Sequence, residues 1–341
     1  MTAPSHPELI GQAPAFLDAL AHASAAASVD RPILVIGERG SGKELFASRI
    51  HFLSPRWEGP LIKVNCAAMN EELLESELFG HEAGAFTGAV KKRSGRFERA
   101  EGGTLFLDEI ASASHRVQEK LLRVIEYGEY ERVGGEQTLT ADVRVVAAAN
   151  VDLRSQVQKG KFRADLLDRL AFDVVVAPPL RQRPEDIPIL AAHFATAMAA
   201  ELGTTFPGFA PEALVALTGH RWPGNVRELK NTAERAMFHW SVASESAQID
   251  AIIIDPFEQA GAPTPDIQDA PEKPEETLAP QHKELNGPMD LRAHLDEIER
   301  DLVNAALTRN AGNQKRTAKA LSLTYDQMRG LVRKYELSSS R

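Results

Sequence analysis

A glycine-rich run that ends in lysine is the first group of residues in this chain suited to chemistry. It comprises, in order, Gly37, Glu38, Arg39, Gly40, Ser41, Gly42 and Lys43. The run follows an apolar segment and precedes a helical pattern, which is the context that a phosphate-binding loop requires. Backbone N–H groups can converge there on phosphate oxygens, and the lysine can neutralise the β- and γ-phosphates. We therefore predict an ATP site, with a simple glycine-rich turn as the alternative.

Two adjacent carboxylates form the second chemical group. Asp108 and Glu109 end the apolar run 104–107, and in a doubly wound sheet such residues lie at the crevice beyond the strand's carboxyl end. Because neighbouring side chains of a strand point to opposite sides, their roles should differ. Asp108 would hold Mg²⁺, and Glu109 would act as general base on the attacking water. A solvated acidic loop is the alternative.

One position departs from the general phosphate-binding motif. Ser or Thr usually follows the lysine and ligates Mg²⁺ through its hydroxyl, whereas Glu44 stands here. We expect Glu44 to point away from the triphosphate, so that Mg²⁺ relies on Asp108 and water.

The elements that must position these groups alternate between strands and helices. Nearly continuous apolar runs predict buried strands at 32–36, 61–65, 104–108, 143–149 and 172–176. This alternation predicts an α/β fold with a doubly wound parallel sheet. Residues 184–252 then read as helices only, with Pro207-Gly208 and Pro223-Gly224 as breaks, which is the size and place of a helical lid.

The composition is that of a globular protein, with 43% hydrophobic and 26% charged residues over 341 positions. The single cysteine, Cys66, excludes an internal disulfide and follows an apolar strand, so we expect it to be buried rather than nucleophilic. No apolar run approaches the roughly 18 residues of a membrane span, and the N-terminus lacks a signal-peptide pattern. We expect a cytoplasmic protein without membrane insertion.

The net charge of −9 is unevenly distributed. Residues 311–341 carry seven basic and two acidic side chains, a balance of +5, which leaves −14 on the remainder. This asymmetry predicts a separate module for a polyanion. Residues 256–290 hold seven prolines and eight acidic residues with little apolar content, which predicts an extended linker. The predicted domains are an α/β subdomain (1–180), a helical lid (181–255), the linker (256–290) and a C-terminal module for a polyanion (291–341).

A small loop lies between the phosphate-binding run and the acidic strand end. It comprises Gly84, Ala85, Phe86, Thr87, Gly88 and Ala89. Alone, it is a flexible turn with one aromatic residue. In this context it resembles the loop with which bacterial enhancer-binding proteins, the AAA+ activators of sigma-54 RNA polymerase, contact their sigma factor. The family shares the glutamate after the phosphate-binding lysine, and the resemblance covers residues 8–255 and 291–337. It implies an AAA+ ATPase that remodels the closed promoter complex.

The resemblance assigns roles to two asparagines at strand ends. Asn65 would restrain Glu109 according to the nucleotide state, although an asparagine that ends a strand is more often a turn former. Asn150 would be the polar sensor of AAA+ proteins, although Ala149 replaces the threonine that commonly precedes it.

Three arginines also receive roles from the resemblance. Arg163 and Arg169 would be arginine fingers that reach the neighbouring subunit's nucleotide; without the resemblance they are arginines on the solvated face of a helix. Arg227, in the run Trp-Pro-Gly-Asn-Val-Arg, would be the lid arginine that senses the nucleotide in its own subunit. A finger that acts in trans requires a homo-oligomeric ring, from dimer to hexamer by analogy. Residues 126–135 resemble a second surface hairpin of the family, with a simple β-hairpin as the alternative.

The C-terminal region resembles a Fis-type helix-turn-helix. Asn313 can cap a helix over 314–321, and after a turn a second helix runs from Tyr325 to about residue 335. The second helix would enter the major groove of enhancer DNA, and helix 291–308 would supply the dimer contact. A solvated basic surface is the alternative. Candidate DNA contacts are Lys315, Arg316, Tyr325, Gln327, Arg329 and Arg333.

Only about 30 residues precede the first strand, too few for the receiver or ligand-sensing domain that is usual in the family. This arrangement and residues 52–60 resemble the phage-shock (envelope stress) branch, in which an inhibitory partner protein acts in trans. Trp57 would belong to the inhibitor's docking surface, or else be a half-buried structural tryptophan. Two other classes are an AAA+ remodeller of the replication type, which would not need the 84–89 loop, and a DNA-binding regulator with a vestigial ATPase, which would not need an intact site.

Overall fold

The computed structural model describes residues 9–243, 246–256, 291–310, 313–321 and 323–335. The chain divides into two compact units, residues 1–262 and 263–341. Apart from Pro256, the predicted linker lies outside the described residues.

A five-stranded parallel sheet forms the centre of the first unit. Its strands are β1 (Ile33–Ile36), β2 (Leu61–Asn65), β3 (Thr104–Asp108), β6 (Arg144–Ala149) and β7 (Asp173–Val176). Their spatial order is β2-β3-β6-β1-β7, and every neighbouring pair is parallel. The predicted parallel α/β sheet is confirmed, and each strand lies within one residue of its predicted limits.

Helices cover both faces of the sheet and create two hydrophobic cores. They are α1 (Pro14–Ala27), α2 (Lys43–Phe52), α3 (Glu71–Phe79), α4 (Arg96–Arg99), α5 (His115–Tyr127), α6 (Leu153–Gln158) and α7 (Ala164–Leu170). Strand side chains alternate between faces, so Ile33 and Val35 pack with α1 and α2, whereas Leu34 packs with α3, α5 and α7. Cys66 is buried as predicted, and burial raises the pKa of its thiol to about 12.

An antiparallel hairpin follows α5; it spans residues 129–140 rather than the predicted 126–135, because residues 126 and 127 still belong to α5. Its strands are β4 (Glu129–Glu131) and β5 (Thr138–Thr140), with Tyr130 paired opposite Leu139. Gly128 ends α5 in a left-handed conformation, φ 71°, which lets the chain turn directly into β4.

The lid contains α8 (Asp186–Glu201), α9 (Pro211–Gly219) and α10 (Asn225–Ala243) around the fully buried Trp222. The predicted breaks at Pro207-Gly208 and Pro223-Gly224 separate these helices. The prediction of helices only is corrected for residues 246–252, which form bends and extended chain. The reason is that the buried Ile249 exchanges backbone hydrogen bonds with residues on either side of Phe209 and completes the lid core.

The second unit contains α11 (Leu291–Arg309), α12 (Gln314–Ala320) and α13 (Tyr325–Lys334). Its small core is formed by Val303, Leu307, Ala318 and Met328. Asn313 caps α12 by accepting from the N–H of Arg316 at 3.2 Å, as predicted. Within the described ranges, no helix is long and apolar enough to span a membrane.

Candidate functional site

The phosphate-binding run forms the turn between β1 and α2. Gly42 has φ 96° and directly precedes Lys43, the first residue of α2, so the turn opens a helix N-terminus that attracts anions. Lys43 is 8% exposed, and its Nζ donates to the carbonyl oxygens of Gly37 (3.0 Å) and Glu38 (2.9 Å). Burial lowers the pKa of Lys43, while the carboxylates at the end of β3 favour its charged form.

Asp108 and Glu109 lie together at the carboxyl end of β3. Glu109 adopts a left-handed backbone, φ 51°, and its N–H donates to Oδ1 of Asp108 at 2.9 Å. Burial raises the pKa of Asp108, while the N–H of Glu109 and the ammonium of Lys43 act in the opposite direction. A carboxylate whose charge is disfavoured by burial is suited to a cation, so Asp108 fits the role of Mg²⁺ ligand.

The side chain of Glu44 is turned to a neighbouring strand. Its Oε1 accepts from Nζ of Lys63 on β2 at 2.8 Å, an arrangement that agrees with a carboxylate directed away from the triphosphate. Among residues 9–243, 246–256 and the described parts of the second unit, no cluster of three or more His, Cys, Asp or Glu side chains could enclose a metal. A cation at Asp108 would therefore depend on phosphate oxygens and water, as Mg²⁺ commonly does.

Asn65 lies beside Asp108, its register partner on the adjacent strand. Its Nδ2 is 3.5 Å from Oδ2 of Asp108, and its Oδ1 accepts from the N–H of Ala67 at 2.9 Å. The residue therefore forms the turn expected of a strand-ending asparagine, and its amide faces Asp108, the residue that precedes Glu109.

Asn150 follows the end of β6 and lines a cavity of about 860 Å³. Gly37 and Glu38 contribute the phosphate-loop side of this cavity, and α6 and α7 contribute the opposite wall. The predicted sensor and the phosphate-binding turn thus open into the same space.

A polar joint fastens the phosphate-binding turn to the lid. Asn225 is fully buried, and its Nδ2 donates to Oε2 of Glu38 (3.1 Å) and to the carbonyl of Arg39 (3.0 Å). Arg181 donates two hydrogen bonds of 2.7 Å to the same Glu38 carboxylate, and this contact lowers the pKa of Glu38. Sequence reasoning missed Asn225 and Arg181, because their partners lie far along the chain.

Arg227 lies above the same turn. The N–H of Val226 donates to the carbonyl of Gly40 at 3.0 Å, and a Cβ added to Gly40 would lie 2.2 Å from the carbonyl oxygen of Gly224 and 3.1 Å from the Cβ of Arg227. Glycine is therefore required at position 40 by the close approach of the lid. The side chain of Arg227 is exposed beside this turn.

The two predicted fingers lie outside the phosphate-binding turn. Arg163 is the N-cap of α7 and forms an ion pair with Asp165 at 2.7 Å; Arg169 pairs with Glu126 of α5 at 2.6 Å. These partners hold both arginines on the surface of α5 and α7, so the structure does not bring them to their own subunit's phosphate-binding turn.

The Gly84–Ala89 loop is closed by its own backbone. Gly84 N–H donates to the carbonyl of Ala89 at 2.8 Å, and Ala89 N–H donates to the carbonyl of Phe86 at 3.0 Å. Phe86 is 39% exposed and packs edge-on against His81, with ring centroids 5.0 Å apart, while Thr87 is exposed.

The β4–β5 hairpin supports the base of this loop. The N–H of Glu82 donates to the carbonyl of Val133, and the 8%-exposed Arg132 donates to Glu82 (3.1 Å) and Glu98 (2.7 Å). A Cβ on Gly134 would lie 2.7 Å from the Cβ of Ala85. The two surface loops are therefore in direct contact.

Two further predicted surfaces are exposed. Trp57 has 57% of its surface exposed, beside Arg56, which is held by Asp30 (2.8 Å) and Asp142 (2.5 Å). In the second unit, exposed side chains of α12 and α13 include Lys315, Arg316, Tyr325, Gln327, Arg329 and Arg333. Gln327 also belongs to a capping box with Thr324 at the start of α13.

Comparisons with known proteins agree with these features. Residues 9–175 match the sigma-54 interaction domain, residues 181–255 the AAA+ ATPase lid domain, and residues 294–335 the bacterial regulatory proteins of the Fis family. The Psp operon transcriptional activator of Escherichia coli (strain K12) is 53% identical over 330 residues, which cover 96% of this chain and 98% of that protein.

Longer relatives match as well. The anaerobic nitric oxide reductase transcription regulator NorR of Aeromonas salmonicida (strain A449) is 41% identical over 335 residues, 98% of this chain and 64% of that protein. The crystal structure of NtrX from Brucella abortus in complex with ADP aligns with a TM-score of 0.67 and 30% identity, over 98% of this chain and 71% of that chain. The chain is an ATP-binding AAA+ ATPase with a Fis-type DNA-binding domain, and it belongs to the family of sigma-54-dependent transcriptional activators.

Proposed function

We propose that this protein hydrolyses ATP within a homo-oligomeric ring and remodels the closed promoter complex of sigma-54 RNA polymerase through the Gly84–Ala89 loop. The observation that carries the proposal is the separation of this loop from the chemistry. Its members have no acidic or basic side chain, its Phe86 and Thr87 are exposed, and its base is fixed to the β4–β5 hairpin through Arg132. Such a loop is suited to contacting a partner rather than to hydrolysing ATP.

The chemical step divides among three residues. Lys43 and the N-terminus of α2 bind and neutralise the phosphates, and Glu109 accepts the proton of the attacking water. Asp108 would hold Mg²⁺, which supplies charge neutralisation on the β- and γ-phosphates when bound. Asn65 beside Asp108, and Asn150 at the end of β6, would respond to the γ-phosphate.

The transition state is completed from a second subunit. Arg163 and Arg169 are held on α5 and α7 by Asp165 and Glu126, so they are available to a neighbour's nucleotide. Fingers that act in trans would require a ring, hexameric by analogy, in which each finger serves the next site. Arg227, above Gly40, would report nucleotide occupancy to the lid of its own subunit.

The C-terminal unit would bind enhancer DNA and raise the local concentration of the ATPase near the promoter. Exposed Arg329 and Arg333 on α13 supply positive charge to a groove or phosphate contact. In this division the catalytic subdomain is 1–180, the lid 181–255, the tether 256–290 and the DNA-binding domain 291–341.

The similarity to the Psp operon transcriptional activator supports a phage-shock (envelope stress) operon as the target. Control by an inhibitor in trans, in the cytoplasm, is the further expectation from the resemblance of residues 52–60 to that branch. Trp57, 57% exposed, would contact that inhibitor. Cells that carry Trp57→Ala should show activation without stress, whereas retained repression would remove Trp57 from the docking surface.

The test of the main proposal is open-complex formation at a sigma-54 promoter. The protein with ATP should open promoters bound by sigma-54 holoenzyme and leave those bound by the major sigma factor unchanged. Two results would contradict the proposal. One is that promoters of both sigma classes open, and the other is that neither class opens although the protein hydrolyses ATP.

A further inference from the structure

Gln118 is a buried amide between two segments of the catalytic machinery. It lies on α5 and is 0% exposed. Its Nε2 donates to the carbonyl oxygens of Ala113 (2.8 Å) and Lys161 (3.1 Å), and its Oε1 accepts from the backbone N–H of Arg163 (2.9 Å). Both amide hydrogens and the amide oxygen are therefore in use.

The three partners of Gln118 belong to functionally different segments. Ala113 ends the short 3₁₀ turn that begins after Glu109. Lys161 and Arg163 belong to the loop that leads into α7, and Arg163 is the N-cap of that helix. One side chain thus joins the segment after the general base to the backbone from which a finger projects.

Burial makes these hydrogen bonds consequential. A buried amide is costly unless its donors and acceptors are satisfied, and an apolar residue of similar volume would leave the N–H of Arg163 and the carbonyls of Ala113 and Lys161 without these partners. Gln118 satisfies all three groups with backbone atoms rather than side chains. Its effect is therefore to fix main-chain position, which is what a guanidinium that must reach across a subunit boundary requires.

A second link joins α5 to the same loop but leaves Arg163 untouched. His115 is hydrogen-bonded through Nε2 to the carbonyl of Gly160 at 2.8 Å, at an exposed site. Its loss would free the loop at Gly160 and retain the bond to the N–H of Arg163. His115 therefore offers a matched control on the same helix.

We propose that Gln118 is a positioning residue for the Arg163 finger, which it anchors to the turn that follows its own subunit's Glu109. The inference rests on the proposed action of Arg163 in trans. Loss of the Gln118 hydrogen bonds lowers kcat for the hydrolysis of ATP bound to the neighbouring subunit. The affinity of each subunit for ATP is retained.

Mixed rings assign the effect to one side of the interface. A Lys43→Ala subunit contributes fingers but no ATP site, and an Arg163→Ala/Arg169→Ala subunit contributes an ATP site but no fingers. Their mixture should recover hydrolysis at the mixed interfaces. Gln118→Met, of similar length but without the hydrogen bonds, is then introduced into either the finger-supplying or the ATP-binding subunit.

Gln118→Met in the finger-supplying subunit should lower the recovered rate about tenfold to hundredfold, as misplaced catalytic groups do. In the ATP-binding subunit, where Gln118 holds only the turn after Glu109 and touches no reacting group, the rate should fall by clearly less than it does in the finger-supplying subunit. His115→Ala should have little effect in either subunit. Equal losses in both subunits, or a loss confined to the ATP-binding subunit, would overturn the inference.

Two controls distinguish a positioning effect of Gln118 from misfolding of the variants and from a failure of the proposed finger in trans. Ring assembly and thermal unfolding of each variant establish that the subunits are folded, and Gln118→Asn, shorter by one methylene, should give the same finger-side loss if Gln118→Met does not fold. If the parent mixture forms mixed rings without hydrolysis, the finger in trans is wrong and the inference falls with it. The alternative outcome is that the parent mixture hydrolyses ATP, with Gln118→Met giving the same rate in either subunit. In that case only the role of Gln118 is wrong.

Discussion

The phosphate-binding turn and the Gly84–Ala89 loop are both glycine-rich, yet they are held in opposite ways. The turn is enclosed: the lid approaches Gly40 so closely that a Cβ would lie 2.2 Å from a carbonyl oxygen, and the buried Asn225 bonds two of its residues. The loop is surrounded by solvent at its two glycines, because a Cβ on Gly84 or Gly88 would meet no atom within 4 Å. In the turn, glycine leaves room for a close neighbouring segment. In the loop, glycine is needed only because the backbone is left-handed.

This difference suits the turn to ATP hydrolysis and the loop to passing movement on to a partner protein. A phosphate site must hold its donors in fixed positions before the reaction, because reorganisation would raise the barrier. A loop that delivers movement to a partner must be able to change position, and few contacts favour that. Substitutions in the turn and at the end of β3 should therefore change hydrolysis, and those in the loop should change only its coupling to transcription.

The largest expected effect is on the rate of ATP hydrolysis and tests Glu109 as the general base. Glu109→Gln should lower ATP hydrolysis by about 10²–10⁴-fold, because it removes the general base and leaves the phosphate-binding turn intact. ATP binding should persist, as measured with a fluorescent analogue, whereas Lys43→Ala should lose binding as well. Glu44→Gln, whose side chain faces Lys63, is the matched control and should change the rate by less than about tenfold. A wild-type rate for Glu109→Gln would mean that another group is the base.

A smaller effect is expected where the two surface loops touch. Gly134→Ala would place a Cβ against Ala85 and so displace the Gly84–Ala89 loop. Promoter opening should fall about tenfold, as for a contact displaced by several tenths of an ångström, while ATP hydrolysis stays within about twofold. Gly203→Ala has a similar left-handed backbone, φ 69° against 72°, but meets no atom within 4 Å. If both variants behaved alike, backbone strain rather than loop contact would be the cause.

The smallest effect on function concerns the joint between turn and lid, although its effect on stability is larger. Asn225→Ala would leave the N–H of Leu180 without its acceptor and would place alanine at φ 53°. The free energy of unfolding should fall by about 2–4 kcal/mol, and the affinity for ATP should fall several-fold. Asn225→Gly removes the same hydrogen bonds without the backbone strain and should be the less destabilised of the two. Urea unfolding with and without ATP measures both quantities, and unchanged affinity would separate the joint from nucleotide binding.

The sequence predicted what depends on local patterns. Apolar runs located all five strands of the sheet to within one residue, because parallel strands are buried on both faces. Strand ends then placed Asp108, Asn65 and Asn150 at one edge of the sheet, since parallel strands present their carboxyl ends together. The glycine-lysine run fixed the start of α2 in the same way.

Contacts between distant segments could not be predicted. Arg181 and Asn225 lie more than 140 residues from Glu38, and the Gln118 amide is joined to the backbone of Arg163, 45 residues away. No local periodicity encodes such pairs. The extended chain near Ile249 was missed because its hydrogen bonds are made with the segment around Phe209 rather than with neighbours in sequence. The exposure of Trp57 likewise depends on how its loop packs.

Thr87→Ala tests the central claim most directly, because Thr87 is exposed in the loop and has no acidic or basic group that could act on ATP. ATP hydrolysis, ring formation and open-complex formation with sigma-54 holoenzyme should be measured on one preparation, with Thr138→Ala on the neighbouring hairpin as the matched control. Substantial hydrolysis by intact rings together with lost sigma-54 contact and lost promoter opening is the predicted result. Full promoter opening by Thr87→Ala and by Phe86→Ala would contradict the account.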